Sequence, residues 1–153
     1  VTLKFCSPTL LHRAGTPYPL PDPGVIFLRY LDLWERFSEV PLHPDLRKLL
    51  SRHLLLTDFR LRSRPGGRRR NGDATVTRFS GSASFRLPGR HPEAVLRGWN
   101  VLADFAFFCG TGSGTEKGWG VTRRILPGRS DPETDSPDTD AKACGTGVGR
   151  KLS

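Results

Sequence analysis

Apolar and polar residues alternate along Val1–Cys6 and again from Thr75 to Leu87. In the second stretch Thr77, Phe79, Gly81, Ala83, Phe85 and Leu87 share one side, and Arg78, Ser80, Ser82, Ser84 and Arg86 the other. A period of two predicts a strand with one buried face. Leu54–Arg64 has the same rhythm, with Phe59 and Leu61 alternating with Arg60, Arg62 and Arg64, and a last strand is predicted over 121–126. Elsewhere the spacing is helical. Phe27, Tyr30, Leu31, Trp34 and Phe37 follow Asp22-Pro23, a capping residue with proline at the first helical position. Val95, Leu96, Trp99, Leu102, Ala103 and Ala106 follow Pro92, and Asp45–Arg52 fits a shorter helix. Ser7–Pro23 reads as a proline-rich connection. Trp34, Trp99, Phe105, Phe107, Phe108, Phe79 and Phe85 are expected in the core.

The predicted order, β-α-β-β-α-β with one short extra helix, is that of an α+β, ferredoxin-like fold: a four-stranded antiparallel sheet with two helices on one face. Residues 1–128 are expected to form this domain. The segment 129–153 has few apolar residues and reads as a disordered acidic and polar tail. The whole chain carries a formal charge of +9, and the tail holds four basic and five acidic residues, so 1–128 alone carries +10. A basic domain rich in arginine points to a nucleic acid, because the guanidinium fork suits phosphate.

Two stretches localise that chemistry. The run Cys109–Gly120 places Gly110, Gly112, Gly114, Gly118 and Gly120 around Lys117, between the last helix and the last strand. Backbone amides in such a loop can cradle phosphate oxygens. Nucleotide-binding glycine loops run strand, loop, helix, and this one runs helix, loop, strand, matching neither GxGxxG nor GxxxxGK[ST]. Arg60, Arg62, Arg64, Arg68, Arg69 and Arg70 crowd a predicted hairpin whose tip includes Asn71-Gly72, suited to contacts along an RNA backbone.

Together, the element order, Phe79-Ser80-Gly81 in the third strand and Phe105–Gly120 with its glycine loop resemble the carboxy-terminal half of CRISPR-associated repeat-processing endoribonucleases, members of the RAMP superfamily. The resemblance covers about residues 1–126. It implies binding of a CRISPR repeat hairpin, within an enzyme that pairs two ferredoxin-like halves and cuts precursor transcripts without metal, leaving a 2′,3′-cyclic phosphate. The family's general acid/base, commonly histidine, lies in the amino-terminal half, so the catalytic residues are expected outside this chain. A non-catalytic RAMP subunit holding guide RNA among other effector subunits is the alternative.

Of the histidines, His12, in a loop near Arg13 and Tyr18, is the catalytic candidate within this chain, since internal attack by a 2′-OH needs a base, an acid and charge stabilisation. Lys117 completes that candidate set. Cys6, Cys109 and Cys144 are far apart and no carboxylates are paired at ligand spacing, so neither a metal site nor another cofactor is expected. No apolar run approaches the roughly 20 residues of a membrane span. The chain lacks methionine even at position 1. A reducing cytoplasm, and a chain that is part of something longer, are the expectations.

Overall fold

The computed structural model describes residues 1–65 and 76–126. Its elements are β1 (Thr2–Thr9), β2 (Leu11–Arg13), β3 (Thr16–Tyr18), α1 (Pro23–Phe37), α2 (Leu46–Arg52), β4 (Leu55–Pro65), β5 (Thr77–Arg86), α3 (Glu93–Cys109), a 3-10 turn (Thr115–Lys117) and β6 (Thr122–Ile125). The main sheet runs β4-β5-β1-β6 with antiparallel neighbours. This is the ferredoxin-like order, with the first and third long strands in the centre.

The helices begin where chain chemistry permits. Asp22 accepts the Val25 amide at 2.9 Å and proline follows in the first turn, which satisfies an otherwise orphaned donor. Gly110, with φ of 66°, ends α3. Between helices and sheet lies the core: Leu3 and Phe5 from β1, Phe79, Ala83 and Phe85 from β5, Ile26, Phe27, Tyr30 and Leu31 from α1, and Val95, Trp99, Leu102, Ala103 and Ala106 from α3. Phe27 sits at its centre, its ring edge-to-face with Phe85 at 5.3 Å, Tyr30 at 5.6 Å and Trp99 at 6.0 Å. Such aromatic pairs add to area burial.

Two expectations are corrected. The segment after Cys6 is not a plain connection: β1 continues to Thr9 across a register shift, and β2 and β3 form a small separate hairpin. Proline has no amide to donate, but the β2–β3 pairing needs none from Pro17 where it faces His12. Phe107 and Phe108 are 64% and 80% exposed, because the inward stripe of α3 runs through Leu102, Ala103 and Ala106 and these two fall on the outer side. Phe79, Phe85 and Trp99 are buried as expected. The hairpin tip with Arg68, Arg69 and Arg70, and the tail 129–153, lie outside the described residues.

Candidate nucleic-acid interface

The alternation in the strands sorts charge onto the sheet face that no helix of the described residues covers. Arg60 lies opposite Ser82, Ser82 opposite Lys4, and Lys4 opposite Arg123, so one row across all four strands carries three cations. Arg62 opposite Ser80 and Arg64 opposite Arg78 extend it along β4 and β5. Asp58, opposite Ser84, has the same parity and is the one carboxylate of this face among the described residues. Arg60, Arg62 and Arg64 are exposed, and among the described residues no carboxylate pairs with them or with Arg78.

On the helix side the balance differs. Arg47 of α2 pairs with Asp32 at 2.8 Å and Glu35 at 2.5 Å of α1, Arg97 with Glu93 at 2.7 Å and Arg13 with Asp22 at 3.7 Å. Arg124, one residue from Arg123 and therefore on the opposite face, reaches Asn100 at 2.6 Å and Asp104 at 3.0 Å of α3.

The glycine loop closes one end of the sheet. Gly110, Gly112, Gly114, Gly118 and Gly120 all have positive φ. Two are required by close approach: a Cβ on Gly120 would lie 1.9 Å from the Thr111 carbonyl oxygen, and one on Gly112 would lie 2.2 Å from that of Leu10. The amides of Gly110, Thr111, Ser113, Lys117, Gly118, Trp119 and Gly120 donate to carbonyls of the protein itself. Most of the loop's donors thus shape the loop, leaving Gly112, Gly114, Thr115 and Glu116 without a backbone acceptor among the described residues.

A buried hydroxyl chain fastens the loop to the core. Thr122 donates to the Gly120 carbonyl at 2.9 Å; each hydroxyl has one proton, so Thr111 donates to Thr122 at 2.6 Å and Tyr30 to Thr111. Burial raises the Tyr30 phenol well above its ordinary range and keeps that proton in place. Burial also pushes the Cys109 thiol up to about 11, making it a poor nucleophile near neutrality. Lys117 is exposed, with its ammonium 5.8 Å from the centre of the Trp119 ring. The Arg78 guanidinium lies over that ring, its carbon 3.9 Å from the ring centre. Through Arg78, the arginine strand and the glycine loop form one continuous surface. Lys4, Arg78 and Arg123 join the sequence-predicted arginines on this surface, and the signal for them in the sequence is their parity in the strand alternation.

His12 is exposed on β2, at the rim of a cavity of about 200 Å³ also lined by Arg29, Tyr30, Gly112 and Ser113. Tyr18, in the facing strand, is paired with Leu11. Among the described residues no group of three or more histidine, cysteine or acidic side chains could hold a metal, and no helix is long and apolar enough to cross a membrane.

The family model for CRISPR-associated endoribonuclease Cas6 matches residues 3–122. Among solved structures, Cas6 (TTHA0078) in a substrate mimic complex is 28% identical with a TM-score of 0.67, covering 80% of this chain and 51% of that one. Its product complex gives the same identity and TM-score over 49% of that chain. Thermus thermophilus Cas6 (TTHB231) is 32% identical with a TM-score of 0.65, over 80% of this chain and 51% of that one. The chain thus spans about half the length of these structures. No curated protein matches it. With 120 consecutive positions inside the family model, helix-loop-strand glycine segment included, the chain belongs to the CRISPR-associated endoribonuclease Cas6 family.

Proposed function

We propose that this chain binds the hairpin of a CRISPR repeat RNA, as the part of a Cas6 endoribonuclease that holds the stem while precursor transcripts are cut. The observation that carries the reading is the sheet face opposite the described helices, where Lys4, Arg60, Arg62, Arg64, Arg78 and Arg123 gather beside the glycine loop with one carboxylate, Asp58, among the described residues. An A-form stem has a major groove too narrow for side chains, and is recognised by shape and backbone. Evenly spaced cations on a sheet meet that requirement. Lys117 and the loop amides left without backbone acceptors among the described residues extend the contact, and Arg68, Arg69 and Arg70 add three further cations in sequence between β4 and β5. The complexes solved for the similar Cas6 proteins, with a substrate mimic and with product, support the same ligand class.

Cleavage in this reading is metal-independent, and the general acid/base is supplied by residues other than those of this chain. The product is a 2′,3′-cyclic phosphate, formed when a 2′-OH attacks the adjacent phosphorus and the 5′-oxygen leaves with a proton. A gel-shift and cleavage assay on a repeat hairpin, with chelator present, tests both parts. The chain is expected to bind the RNA and leave it intact, and neutralising Arg68, Arg69 and Arg70 together should weaken binding and flatten its salt dependence. Metal-free cleavage by this chain, abolished in His12→Ala, would move the active site to the β2 cavity and contradict the proposal.

A further inference from the structure

Arg78 combines features that a merely solvated arginine does not need. It lies directly opposite Arg64 in the β4–β5 ladder, a position where like charges repel and destabilise a sheet. Its Nε is buried with no hydrogen-bond partner, an expensive arrangement for a charged group. Its guanidinium carbon nevertheless lies over the Trp119 ring, 3.9 Å from the ring centre. The indole in turn is locked: its Cε3–Cζ3 edge fills the space over Gly114, where a Cβ would come within 2.5 Å of Cε3, and the Trp119 amide donates to the Gly114 carbonyl at 3.3 Å.

With Arg78 covering one face and Gly114 against an edge, Trp119 is a poor platform for a nucleobase. It is instead a wall against which the Arg78 guanidinium is held. An arginine stacked in this way loses little conformational freedom when its remaining N–H groups meet an anion. An anion between Arg64 and Arg78 also converts their repulsion into two attractions.

Resting on the RNA-binding reading above, we propose that Arg78 and Arg64, flanked by Lys117, form a subsite for one backbone phosphodiester of the RNA, with Trp119 as the positioning residue that fixes Arg78. The charge sits on β4, β5 and the loop, so this phosphate would register the RNA against both the sheet and the glycine loop.

The test measures the Kd of the full chain for a fluorescein-labelled repeat hairpin across a salt series, for the unaltered protein, Trp119→Ala, Trp119→Phe and Arg78→Lys. Trp119→Ala removes no charge, yet it should weaken binding about tenfold at low salt and reduce the slope of log K against log salt by about one, the value of one phosphate contact. Arg78→Lys, which keeps the charge but not the stacked fork and leaves the loop untouched, should weaken binding about fivefold. Trp119→Phe should retain most of the affinity. If the unaltered chain binds the RNA and both Trp119→Ala and Arg78→Lys match it in affinity and slope, the subsite is overturned while the wider interface stands. No RNA binding by the unaltered chain would sink the wider interface itself. Should Trp119→Ala fail to fold, Arg78→Lys decides alone.

Discussion

The two faces of the sheet are built from alternate residues of the same strands, yet they follow opposite electrostatic rules. Arg123 and Arg124 are neighbours in sequence. Arg124 points to α3 and is held by Asn100 and Asp104, while Arg123 stands in a row with Lys4, Ser82 and Arg60. Carboxylates gather where helices pack, at Asp32, Glu35, Glu93 and Asp104, and among the described residues the other face has Asp58 alone. One face is arranged to be stable by itself. On the other, Arg60, Arg62, Arg64 and Arg78 have no carboxylate partner among the described residues, and a polyanion would offset their charge.

This contrast is open to breaking. Substitutions in the helix-covered layer should change stability and leave RNA affinity per folded molecule intact. Phe27→Ala, which removes the ring in contact with Phe85, Tyr30 and Trp99, should cost about 4 kcal/mol in urea unfolding. At the seam between the faces, Gly120→Ala forces a Cβ against the Thr111 carbonyl, and should cost about 3 kcal/mol while also weakening RNA binding. Loss of one effect without the other would separate loop shape from binding.

A pH series sharpens the same seam. The Cys109 thiol is raised from 9.0 to about 11 by burial, so the unfolded chain loses this proton first. The contribution is fully present below pH 9 and is lost as pH rises towards 11. Tyr30, raised for the same reason, adds to the loss above pH 10. Cys109→Ala should flatten the fall in unfolding free energy between pH 9 and 11, measured by urea titration. The smallest effect belongs to Arg47→Ala: its pairs with Asp32 and Glu35 are about half exposed, and should be worth no more than about 1 kcal/mol.

Much of this was legible in the sequence. The strand alternation of Thr75–Leu87 predicted which residues of β5 are buried, and Asp22-Pro23 predicted the start of α1. The helix-loop-strand order of the glycine segment pointed to the family. Less legible was anything set by neighbours distant in the chain. Lys4, Ser82, Arg60 and Arg123 form a row only through the register of three strand pairings, and Arg78 meets Trp119 41 positions away only because the loop folds over the sheet end. The internal use of the loop amides was hidden for the same reason, since their acceptors include Pro8 and Leu10. Phe107 and Phe108 misled because a run of aromatics has no period by which to divide inward from outward positions.

The central claim is that the uncovered sheet face is the RNA-binding face. Its most direct test compares the salt dependence of binding to a repeat hairpin for Arg60→Ala/Arg62→Ala/Arg64→Ala with that for Arg47→Ala/Arg97→Ala, both checked for folding. The account predicts that the sheet-face triple loses about three units of slope, one per phosphate contact, and that the helix-face pair leaves the slope unchanged. Equal losses from both sets, or an unchanged slope in the triple, would contradict it.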